Sequence, residues 1–321
     1  MNTRNRIKLL FAVLIFVLVI VAYFIANNML HDFNQTGNDW VGISLHSLSM
    51  NESQLVNASG ARWIRIDCYE EFEIAVVNAK DYDFKFLGIL DSWMFNKSSK
   101  FTLEEWRDNV TYYVSHYADY VDAWEIWNEP ANPAVNQTLL NATLPENMSR
   151  IVQFYFSMVN ISSPIIRQYD PTAKIVLFGG LNLFSGGDQH LELDKNFSKQ
   201  LAKLNIEQYG DVLSIHAYPW MDTVQPNIWK NYTDSLEYYK ELYPSLEIWV
   251  TETGHYTGIE DEKGQAQYLV EALQYFKGKV AKLFWYSLRD NEWEIKIGQH
   301  FGLIGNGTPR LAYYELKNEL N

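Results

Sequence analysis

The chain has 321 residues, enough for one large domain or two small ones, and 47% hydrophobic with 20% charged residues excludes a disordered or fibrous chain. A formal net charge of −13 repels phosphate backbones, which excludes nucleic acid as a partner. The single cysteine, Cys68, rules out an intramolecular disulfide and a four-thiolate zinc site, and reads as a buried small hydrophobe. Aromatic residues reach 15%, with 11 Trp, 21 Tyr and 17 Phe, rings that either fill a core or stack on flat apolar ligand faces.

Residues 9–26 are uncharged and nearly all apolar. As a helix this run is roughly 27 Å long, close to the hydrocarbon thickness of a bilayer. Arg4, Arg6 and Lys8 precede it, and no Lys or Arg follows until Arg62. The positive-inside rule then predicts a single-pass signal-anchor in the cell membrane: 1–8 cytoplasmic, 9–26 spanning, 27–39 a linker, and 40–321 a domain outside. The alternative is a cleaved signal peptide; the length of the run and Phe24 three positions back from a cut after Ala26 favour the anchor. Asn-X-Ser/Thr acceptors start at Asn34, Asn51, Asn57, Asn96, Asn109, Asn136, Asn141, Asn147, Asn160, Asn196, Asn231 and Asn306. Random order of the same residues would give about three, so the excess predicts N-linked glycans and an extracytoplasmic domain.

Beyond the linker, short runs rich in Val, Ile, Phe, Tyr and Trp recur between turn residues. They predict strands over 41–46, 62–67, 84–90, 121–127, 174–178, 212–218, 246–252 and 282–287. Helical spacing predicts helices over 101–117, 151–169, 195–209, 232–242, 262–277 and 311–320, with a surface excursion over 130–145. Eight strands, each followed by a helix-like segment over about 280 residues, predict a (β/α)8 TIM barrel of the α/β class. A doubly wound open sheet is the alternative, but no Gly-rich phosphate loop follows the first strand.

In such barrels the reactive groups project from the C-terminal ends of strands. The fourth strand ends on Asn128 and Glu129, the seventh on Glu252, and the sixth carries His216 and Tyr218. Arg65 and Asp67 belong to the second strand, His46 to the first and Trp285 to the eighth. Two carboxylates across a barrel mouth suit glycosidic cleavage with retention: one protonates the leaving oxygen, the other attacks the anomeric carbon. Arg65 would hold a nucleophile ionised, and Asn128 and Tyr218 would donate to sugar hydroxyls.

Trp-Glu-Ile-Trp-Asn-Glu-Pro at 124–130 and Trp-Val-Thr-Glu-Thr-Gly at 249–254 resemble the clan A retaining (β/α)8 glycoside hydrolases, closest to family 39-like and family 5-like members. The stretch 302–313 resembles the segment before the last helix in that clan. The resemblance implies Glu129 as acid/base, Glu252 as nucleophile, and Asn128 on the hydroxyl next to the anomeric centre. It further implies that Arg65, His216 and Tyr218 surround the nucleophile and that Trp285 floors the sugar being cleaved, a β-linked polysaccharide unit. His46 and Trp93, with Asp91, are candidates for sugar subsites, and His255 for the rim. Trp220 and Trp293 would stack on neighbouring sugars or pack the rim. Glu125 reads as a buried structural carboxylate, and Trp40, Trp63, Trp106, Trp229 and Trp249 as packing. No cofactor is implied. Two rivals stand beside this reading. A metal-dependent hydrolase would have only His46, His216 and His255 to converge; a non-catalytic sugar-binding barrel would be expected to lose one glutamate, and both are present.

Overall fold

A computed structural model describes residues 39–69, 71–95, 101–132, 148–183, 190–219, 227–258 and 261–321. The predicted anchor 9–26, most of the excursion after the fourth strand, Trp220, the side chain of Trp293, and the acceptors Asn34, Asn96, Asn136, Asn141 and Asn147 lie outside the described residues. Among the described residues no helix is long and apolar enough to cross a membrane.

Eight parallel strands close on themselves: β1 (Val41–Leu45), β2 (Trp63–Asp67), β3 (Lys85–Leu90), β4 (Ala123–Ile126), β5 (Lys174–Asn182), β6 (Val212–Ala217), β7 (Glu247–Thr253) and β8 (Lys282–Tyr286), with β8 pairing back onto β1. Their helices follow in turn: α1 (Met50–Ser59), α2 (Phe72–Ala79), α3 (Leu103–Tyr117), α4 (Met148–Tyr169), α5 (His190–Ala202), α6 (Ile228–Leu242), α7 (Asp261–Phe276), the short α8 (Glu292–Ile297) and α9 (Leu311–Leu320). Strand residues are buried on both faces, as a parallel sheet requires when helices cover one side and a packed interior the other. The lower interior is filled by Trp63, Leu87, Val176, Val212, Trp249 and Phe284, with the Trp63 and Trp249 rings edge to face at 5.2 Å.

Local chemistry explains the elements that the apolar periodicity did not single out. α1 starts at a reciprocal capping box between Ser49 and Glu52, and α8 at another between Asn291 and Glu294. Strand β5 runs four residues past its predicted end. Gly179 and Gly180 read as turn punctuation, yet they form a bulge inside the strand, after which pairing with β6 resumes at Leu181. Seven glycan acceptors fall within described residues. Asn51, Asn57, Asn160, Asn196 and Asn306 are exposed, and Asn109 and Asn231 half-buried.

Candidate active site

The end of β4 and the bulge of β5 build the first half of the site together. After Ile126 the chain leaves the strand through two left-handed residues, Trp127 at φ 68° and Glu129 at φ 46°. The Glu129 N–H donates to the Gly179 carbonyl at 2.6 Å. Gly179 itself sits at φ +56°, where a Cβ would lie 2.5 Å from the Trp127 carbonyl. Strained backbone of this kind survives only where its surroundings over-determine it, and here it aims Asn128 and Glu129 into the barrel mouth. The Glu129 carboxylate then accepts from Asn132 Nδ2 at 2.7 Å and lies 3.0 Å from His216 Nδ1.

Glu252, near the end of β7, is held by charge. Arg65 Nη1 donates to its Oε1 at 2.6 Å and Tyr218 donates its hydroxyl to Oε2 at 2.6 Å. Arg65 is buried and spreads its other donors over Glu125 (2.6 Å), Ser44 (3.2 Å) and Asn128 (2.9 Å). Burial pulls its pKa down, but Glu125 and Glu252 outweigh that and hold the guanidinium charged. Glu125 is fully buried below the site, where its second oxygen accepts from Ser214 at 2.6 Å. Burial and then the Glu252 charge push the Tyr218 hydroxyl well above its usual range, so it stays a donor.

His216 links the two halves. Its buried Nδ1 is 3.0 Å from Glu129 Oε1 and 3.7 Å from Glu252 Oε2, which caps the separation of those oxygens at the sum, 6.7 Å. Burial lowers its pKa, while Glu252 and then Glu129 raise it, and the net shift is upward. The ring fits because residue 180 is glycine: a Cβ there would fall 2.2 Å from the imidazole.

A cavity of about 580 Å³ opens above these groups, of a size to hold a small-molecule ligand. Glu129, Glu252, Asn128, Arg65, Tyr218, His46, Trp93, Asp91 and His255 line it. Trp93 stacks on His46 at 6.4 Å between ring centroids and meets Tyr69 edge-on at 6.0 Å. His216 stands behind this lining, touching the carboxylates but not walling the cavity.

Trp285 is a correction. Its side chain is 1% exposed, packs on Tyr268 and takes no part in the cavity. Successive strand residues face opposite ways, and the neighbour Tyr286 is the one that faces inward. Tyr286 donates to Glu294 at 2.7 Å and lies 3.0 Å from His46 Nε2, so the wall expected of Trp285 belongs to Tyr286 and Glu294. Asn132, Tyr286 and Glu294 were not among the expected site residues. Asn132 carried a faint signal, since it follows Glu129 by three along a turn. Among the described residues no group of three or more His, Cys, Asp or Glu side chains is arranged to hold a metal ion.

Residues 162–308 match the family model described as the glycosyl hydrolase catalytic core. Solved structures share the fold. A family 39 glycoside hydrolase from the gut symbiont Bacteroides cellulosilyticus WH2 superposes with a TM-score of 0.65 at 18% identity, over 88% of this chain and 63% of its own. The hyperthermophilic β-glucosidase from Pyrococcus furiosus gives 0.67 at 12% identity, over 88% and 95%. A β-glucuronidase of Bacteroides uniformis gives 0.60 at 12% identity, over 88% and 35%. No curated protein sequence matches the chain.

Proposed function

We propose that this glycosidase, built on a glycosyl hydrolase catalytic core, cleaves β-linked glycosidic bonds of polysaccharide with retention, through a covalent glycosyl-enzyme. The observation that carries the reading is His216 touching both carboxylates, with its 6.7 Å cap on their oxygens. Retaining enzymes hold the pair about 5–5.5 Å apart, inside that cap, whereas inverting ones need roughly 6.5–9.5 Å to admit a water, nearly all of it beyond the cap.

Roles follow from surroundings. Glu252 accepts hydrogen bonds from Arg65 and Tyr218, which fix both its oxygens, and acts as the nucleophile. Glu129 is more open, with a side chain 20% exposed against 11% for Glu252, and stands where solvent exchanges protons with it. It protonates the leaving oxygen, then takes a proton from the water that hydrolyses the intermediate. His216, between them, orients Glu129 and feels the charge of both. Asn128, already oriented by Arg65, presents its amide nitrogen to the sugar hydroxyl beside the anomeric carbon.

Variant kinetics test this. Glu252→Ala should barely react even with an activated aryl glycoside, because no covalent intermediate forms. Glu129→Ala should still release a good phenol, stall at the intermediate, and be accelerated by azide to a product of retained configuration. Azide on Glu252→Ala should give the inverted product. Reversed stereochemistry, or identical behaviour of the two variants towards good and poor leaving groups, would overturn the assignment.

The run at 9–26 supports a membrane-anchored enzyme that faces outward, and the exposed acceptors support N-glycosylation. Full-length protein should resist alkaline extraction from membranes; a soluble mature form beginning near residue 27 would establish a cleaved signal instead.

A further inference from the structure

The wall opposite the catalytic pair holds two polar groups that the mechanism above does not use. Asp67, at the end of β2, is only 7% exposed and lines the cavity. Among the described residues its side chain is paired only with His46. His46 Nδ1 stands 3.6 Å from it, beyond ordinary hydrogen-bond length. That nitrogen is itself buried without a hydrogen-bond partner. Asp67 and this nitrogen face each other across a gap longer than an ordinary hydrogen bond, so on a cavity wall both keep capacity to bind a ligand's hydroxyl groups. Asp91 sits behind them, one oxygen taken by the Trp93 N–H at 2.9 Å.

The charge of the cavity restricts what that ligand is. Carboxylates from β2, β3, β4, β7 and α8 face it, and the Arg65 guanidinium among them is already committed to Glu125 and Glu252. Asp67, Asp91, Glu129, Glu252 and Glu294 thus face the sugar with one guanidinium among them.

Resting on the glycosidase reading, we propose that Asp67 and His46 bind hydroxyls of the sugar unit being cleaved, and that this acidic wall admits a glycone without negative charge and rejects uronic acids. A second anion about 5 Å from a carboxylate, at an effective dielectric constant near 20, is penalised on the order of 10²-fold in affinity. A hydroxymethyl group in the same place is not.

The test uses full-length protein and 4-nitrophenyl β-glycosides in pairs that differ only at C6: glucoside with glucuronide, galactoside with galacturonide. The neutral member should exceed the uronide about 10²-fold in kcat/KM. Asp67→Asn, which keeps the shape and drops the charge, should raise KM for the neutral sugar and narrow the ratio to below about tenfold. A uronide turned over as well as its neutral partner overturns this proposal and leaves the glycosidase reading standing. An unchanged ratio in Asp67→Asn overturns the assignment to Asp67. Absence of turnover for every pair, for the corresponding β-xyloside and for β-linked polysaccharides overturns the glycosidase reading and this proposal with it.

Discussion

Arg65 lies between two carboxylates at the foot of the cavity, 2.6 Å from each, and its arrangement predicts a non-additive response to their loss. In Glu125→Gln the amide oxygen still accepts from Arg65 Nε, and Glu252 still neutralises the guanidinium. The cost is the difference between a charge-assisted and a neutral hydrogen bond, about 1–2 kcal/mol, reduced because the two carboxylates no longer repel each other. Glu252→Gln leaves the Glu125 pair intact and should cost no more. The double variant differs in kind, because it leaves a guanidinium that is 2% exposed with neither of its directly bonded anions. Breaking a buried pair in that way costs about 3–5 kcal/mol. At the middle of these ranges the double variant should therefore lose about 1 kcal/mol more than the two single variants together. Urea unfolding of the four proteins at neutral pH, with a common slope, reads this directly. Additivity within about 0.5 kcal/mol would refute the account of Arg65 as a cation shared by two anions.

Three further outcomes are expected. Gly180→Ala places a Cβ 2.2 Å from the His216 ring at φ +95°, so it should cost about 2–5 kcal/mol of stability and lower kcat by at least about 10²-fold; a normal kcat would remove His216 from the reaction. Trp285→Phe should lower stability by about 1–3 kcal/mol with KM unchanged, while Tyr286→Phe, which loses its bonds to Glu294 and His46, should raise KM with little loss of stability; the opposite pattern would return Trp285 to the cavity wall. Asp194 on α5 accepts from the Asn182 backbone and side chain, and burial pushes its pKa up to about 7 against those bonds. A carboxyl raised on folding contributes stability below its unfolded value near 4 and loses it as the pH climbs through 7. Asp194→Asn should accordingly gain on the natural protein between pH 5 and pH 8, by at most about 4 kcal/mol, whereas a pH-independent difference in unfolding midpoints would contradict the shift.

The alternation of apolar runs with helically spaced segments was enough to predict eight strands and a closed barrel, because burial on both faces writes a parallel strand as a continuous apolar run. It also placed Glu129 and Glu252 at strand ends, since a carboxylate that closes a buried strand has few places to go except the mouth. Periodicity says which residues of a strand share a face, but not which face looks inward. That is decided when β8 pairs with β1 and the barrel closes, and it put Tyr286 rather than Trp285 on the cavity. Local rules likewise read Gly179-Gly180 as the end of β5, whereas the partner strand and the His216 ring make it a bulge within the strand. The contacts that define the site join residues 36 to 187 positions apart, Arg65 to Glu125 and to Glu252, and His216 to both glutamates. Such distances in sequence leave no local pattern, so only the closure of the sheet brings one cation and one imidazole to bear on the two carboxylates.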